Sequence, residues 1–172
     1  MSSTRFRTVT WDDPTPTRVL GASRSGLELM RAIARGELPP PPVARLLGME
    51  LRRVEEGRAT FALAPAEEQL NPLGTVHGGI VSTILDSAMG CAVHTTLPAG
   101  MTYTTLELKV NFVRPVLLGS GPVVAEGVVA HRGGTVATAE ARLVREDDGK
   151  LVAHATSTLL LMAAAGRAAH AA

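Results

Sequence analysis

The stretch that most narrows what this chain can fold into begins just after His77. From Gly78 the sequence GGIVSTILDSAMGCAVH reads as a helix of about 17 residues, with Ile80, Ile84 and Leu85 at helical spacing. Val81, Ala88, Cys91, Ala92 and Val93 extend the apolar character around nearly the whole circumference, and such a helix is normally buried. Its one charge is Asp86. A carboxylate there is costly unless it is paired, hydrogen-bonded or shifted in pKa, and carboxylates perturbed in that way concentrate at functional sites. The alternative is a carboxylate that faces solvent through a seam along the helix.

The other end of the helix offers complementary chemistry. Its first N–H groups have no intrahelical acceptor, the helix dipole adds partial positive charge, and glycine lets a substrate approach the backbone closely. Gly78-Gly79, with His77 beside them, therefore suit an oxyanion hole, although a tight entry turn needs glycine equally. Eight residues separate Gly78 from Asp86, about 12 Å at 1.5 Å per residue, so one carbonyl cannot touch both. Two copies packing this helix antiparallel about a two-fold axis bring Asp86 of one near Gly78 of the other, so chemistry here predicts a homodimer.

Around the helix the pattern is mostly strand. Met49–Glu55 and Arg58–Ala64 form a hairpin about Glu56-Gly57, and Thr104–Val113, Val123–His131, Thr135–Arg145 and Leu151–Met162 follow, with turns at Gly133-Gly134 and Asp147–Gly149. One long helix among about six strands predicts an α+β fold in which a curved antiparallel sheet wraps around a central helix. Residues 1–42 read as an extension: a short strand over Arg5–Trp11, stopped by Asp12, Pro14 and Pro16, then a helix capped by Ser25 and running to about Arg35, then a polyproline linker over Pro39–Pro42. The extension reads as a tether or oligomer contact. A helical turn at Val43–Gly48 opens the main domain, residues 43–162, and residues 163–172 are a tail.

Bulk properties exclude several classes. With 172 residues and 45% hydrophobic content the chain is long enough for one buried domain plus an appendage. A net charge of +1 gives no electrostatic case for nucleic acid. The single cysteine, Cys91, excludes an internal disulfide framework and reads as a small core residue. The histidines are scattered without metal-ligand spacing, and no Gly-x-Ser-x-Gly elbow or phosphate-binding loop occurs. The N-terminus lacks a signal-peptide core and no stretch reads as a membrane span, so the expected setting is the cytoplasm.

Asn71, His77-Gly78-Gly79, Asp86 within an apolar helix and the following TTLELKVNFVRP together resemble the hotdog-fold thioesterases of the phenylacetate-pathway (PaaI-like) family. The resemblance covers about Val43 to Met162. It implies hydrolysis of an acyl-coenzyme A thioester, with coenzyme A as part of the substrate, no separate cofactor or metal, and an active site shared within a homodimer that pairs into a homotetramer. Gly78 N–H then polarises the thioester carbonyl, and Asp86 of the partner chain attacks it or activates water. The residues matching Asn71 and His77 lie in the active-site loop, and a hydroxyl on the next strand, best matched by Thr105 with Thr104 adjacent, positions the water. The hairpin of Arg132 and Gly133 borders the nucleotide, and Arg114 is a second candidate for its phosphates. For both arginines a solvated strand-end charge is an equal reading. Ser87, Ala88 and Gly90 suggest a small-walled pocket for an aryl or medium-chain acyl group. Two other readings are a non-catalytic acyl-CoA-binding module and a hydratase or dehydratase, though the His-Phe-Pro loop common in the latter is missing.

Overall fold

The computed structural model describes residues 3–164. Three short helices come first, α1 (Thr15–Gly21), α2 (Gly26–Ala34) and α3 (Pro42–Leu47), followed by β1 (Met49–Glu55), β2 (Arg58–Leu63), the long helix α4 (Gly78–His94), β3 (Met101–Phe112), β4 (Val123–Arg132), β5 (Val136–Arg145) and β6 (Leu151–Ala163). The strands form one antiparallel sheet in the order β1-β2-β4-β5-β6-β3, with α4 against its inner face. That face is lined with small residues, Ala125, Gly127, Ala137, Ala139 and Ala141, so the helix backbone lies close to it. A Cβ at Gly127 would stand 2.4 Å from the Ala88 carbonyl. Ile84, Leu85, Ala88, Met89, Ala92 and Val93 of α4 are fully buried in this contact.

The predicted strand at Arg5–Trp11 does not form. The segment is irregular and joins the body through ion pairs of Arg5 with Glu67 and Arg7 with Glu68. Period-two alternation makes a strand only where a ladder partner is at hand. After it comes a helix the sequence reading missed: Pro16 lies in the first turn of α1, where proline is tolerated, and Asp13 accepts from Thr15 N–H at 2.9 Å. The helix capped by Ser25 forms as α2 with a full capping box: Ser25 Oγ accepts from Glu28 N–H and the Glu28 carboxylate accepts from Ser25 N–H. It is packed, with Leu29, Met30 and Ala32 buried and Gly26 so close to α4 that a Cβ would overlap the His94 carbonyl at 1.8 Å. The polyproline run is shorter than expected, since Pro42 opens α3, and Gly48 at φ 71° ends that helix.

Strand β3 starts at Met101, earlier than the expected Thr104, and carries a bulge at Leu106, where Thr105 pairs with Leu159 and Glu107 with Thr158. The bulge changes the phase of the strand. Tyr103 packs toward α4 before it, and Leu108 and Val110 do so after it. Most of the predicted tail, from residue 165, lies outside the described residues.

Candidate functional site

Asp86 is half-buried. The expectation of a fully buried helix therefore needs correcting: Gly79, Ser82, Thr83, Asp86 and Ser87, small or polar residues at helical spacing, form a stripe that this chain alone leaves partly open. On that stripe Thr105 Oγ1 donates to Asp86 Oδ1 at 2.9 Å. Of the two candidate threonines, Thr105 is the one that meets Asp86. Thr104 is exposed on the outer face, and the bulge after Thr105 holds its side chain toward the helix.

Burial governs the ionisable neighbours of Asp86. Burial, then the Asp86 charge, pushes the Cys91 thiol up to about 12, and the Tyr103 hydroxyl is raised well above its usual value by burial, with the charges of Cys91 and Asp86 adding to it. Neither supplies an anion at neutral pH, and a nucleophilic cysteine needs the opposite shift. Burial lowers the His94 pKa, so its ring, edge-on to Tyr103 with centroids 5.6 Å apart, is neutral.

At the N-terminus of α4, His77 is the cap. Its Nδ1 accepts from Gly79 N–H at 2.9 Å, while its carbonyl accepts from Ile80 N–H. Gly78 N–H is left without an acceptor among the described residues, as the first helical residue should be. Asn71 clasps the preceding loop: its Oδ1 accepts from the N–H groups of Leu73 and Thr75, and its Nδ2 donates to Thr75 Oγ1 at 2.9 Å. Asn71, Gly78, Phe112 and Arg114 line one cleft of about 330 Å3. Phe112 covers Gly78 closely enough that a Cβ there would lie 3.3 Å from Cζ of the ring.

The predicted residues thus fall into two groups within one chain: Asp86 with Thr105, and Gly78 with Asn71, His77 and Arg114. Arg114 is exposed at the cleft and donates to the Leu151 carbonyl at 2.7 Å. Arg132 and Gly133 join neither group. Val129 N–H donates to Gly57 O and Gly57 N–H to Thr95 Oγ1, which ties the end of β4 to the C-terminal end of α4, away from Gly78. The small-walled pocket expected at Ser87, Ala88 and Gly90 is not there: Ala88 faces Gly127, and the Tyr103 hydroxyl lies 2.5 Å from where a Cβ of Gly90 would be. Phe112 and Tyr103 were not singled out from sequence, because each acts through a long-range contact with no local pattern, and Thr75, four residues from Asn71, belongs to no recognisable turn pattern. No cluster of three or more metal-binding side chains occurs among the described residues, and no helix there is long and apolar enough to cross a membrane.

A model of the thioesterase superfamily matches residues 73–152. A candidate esterase of Saccharolobus solfataricus is 33% identical over 120 residues, covering 70% of this chain and 83% of that protein. Human acyl-coenzyme A thioesterase 13 is 28% identical over 115 residues, covering 66% and 81% respectively. Among solved structures, a candidate thioesterase of Ralstonia eutropha described as phenylacetic acid degradation-related superposes with a TM-score of 0.68 at 34% identity, covering 76% of this chain and 98% of that one. With that extent of similarity joined to a curved sheet folded around α4, this chain belongs to the thioesterase superfamily and has its hotdog fold.

Proposed function

We propose that the chain hydrolyses acyl-coenzyme A thioesters to the free acid and coenzyme A, in an active site built between two copies. The observation that carries the reading is the split of its chemistry along α4. An unpartnered N–H sits at Gly78 and a threonine-held carboxylate at Asp86, about 12 Å further along the helix. The sheet supports the pairing. β3 is an edge strand bonded, among the described residues, to β6 alone, and it exposes Leu106 and Phe112, an edge that invites a second strand. Antiparallel β3–β3 pairing sets two α4 helices side by side, and two such dimers complete the tetramer of this reading.

In that arrangement Gly78 N–H of one chain donates to the thioester oxygen, and negative charge developing there is stabilised by the helix N-terminus. Asp86 of the other chain removes a proton from water as it attacks, or attacks the carbonyl carbon itself, and Thr105 fixes which carboxylate oxygen faces the substrate. Arg114 at the cleft and Arg132-Gly133 of the opposite chain are then candidates for the coenzyme A phosphates, because the far end of one α4 lies beside the start of the other. The reaction takes no further cofactor. Thiol release from acyl-CoA by wild type and by Asp86→Asn tests the reading: loss of about 100-fold or more in kcat, with folding and dimerisation intact, is expected. Wild type that binds the thioesters without releasing thiol would instead make this a binding module.

A further inference from the structure

A second cavity of about 330 Å3 lies between the N-terminal extension and the C-terminal half of α4. The extension contributes Leu29, Met30 and Ile33, and the domain contributes Phe61, Cys91 and Tyr103. Pro39–Pro41 form a further wall, which an ordered polyproline run suits because it has little conformational freedom to lose. From α1 comes Thr17, whose buried hydroxyl has no hydrogen-bond partner among the described residues. Packed interiors rarely leave such a group unmatched. All of these extension residues precede residue 73, where the superfamily match begins.

Its position relative to Asp86 gives it a purpose. Tyr103 stands two residues before Thr105 on β3, and its hydroxyl lies over Gly90, one helical turn past Asp86. The chamber therefore adjoins the carboxylate site, with Cys91 and Tyr103 between the two. Resting on the thioesterase reading, the geometry points to this chamber as the acyl pocket: the extension closes it, and it receives an apolar acyl group whose thioester carbon lies between Asp86 of the same chain and Gly78 of its partner. The size agrees. The volume lies at the lower end of the roughly 300–1,000 Å3 of small-molecule sites.

Two full-length variants fill the chamber from different elements, Ile33→Trp on α2 and Thr17→Phe on α1. The readout is the ratio of kcat/KM for phenylacetyl-CoA to that for acetyl-CoA, with octanoyl-CoA and palmitoyl-CoA completing the panel. Each folded variant should lower the phenylacetyl-to-acetyl ratio by about tenfold or more. Ratios within about twofold of wild type in both variants would overturn the chamber's role and leave the thioesterase reading standing. Wild type releasing no thiol from any of the four would overturn that reading, and this inference with it.

Discussion

The role of Asp86 depends on which groups face it. Among the described residues its one hydrogen-bond donor is Thr105 Oγ1, and the neighbouring Cys91 and Tyr103 are held protonated, so neither competes with it as a base. A hydrogen bond to a charged group contributes about 1.5–3 kcal/mol, and its loss lets the carboxylate turn away from the reacting carbon. Thr105→Val, which keeps the shape and removes the hydroxyl, is expected to lower kcat for thiol release by about tenfold to a hundredfold with a smaller change in KM. Thr105→Ser should recover most of the rate. A serine variant as slow as valine would show that Thr105 acts by packing, and equal falls in kcat for Thr104→Val would move the role to its neighbour.

At the scale of elements, the closeness of α4 to the sheet depends on Gly127. A side chain there meets backbone, the Ala88 carbonyl at 2.4 Å, which cannot swing aside as a side-chain tip would. Gly127→Ala is expected to destabilise the fold by about 1–3 kcal/mol, read as a lower denaturant midpoint, whereas alanine at Gly134, which has open space around it, should change little. The contrast also marks how far the sequence was legible. α4, the β1–β2 hairpin and the four later strands follow from periodicity and turn residues, which are local signals, and so does the Ser25 cap of α2. The Asp86–Thr105 pair was within reach because both lie in elements with a clear period, while the choice of Thr105 over Thr104 needed the Leu106 bulge, which no residue pattern announces. The failures share a cause. Arg5–Trp11 alternates but meets no ladder partner, Gly90 looks like free space until Tyr103 covers it from another element, and the polyproline wall looks like a linker until α2 docks on α4.

For the whole molecule the question is whether a site is made by one chain or two. The separation of Gly78 from Asp86 along a rigid helix sets the answer the proposed dimer requires, and it is open to complementation. Asp86→Asn removes the carboxylate from one chain. Gly78→Val puts a side chain against Phe112 and over the N–H that would hold the thioester oxygen. Each variant alone should form dimers with no competent site. When the two are co-expressed, random pairing makes about half the dimers mixed, and each mixed dimer unites the intact Gly78 of one chain with the intact Asp86 of the other at one of its two sites. Activity should therefore return to about one quarter of wild type, a figure set by two-fold symmetry alone. A site contained within a single chain predicts no recovery at any mixing ratio. Thiol release by the co-purified mixed dimer, isolated with a different tag on each chain and expected at about half the wild-type rate, distinguishes the two without reference to the substrate's identity.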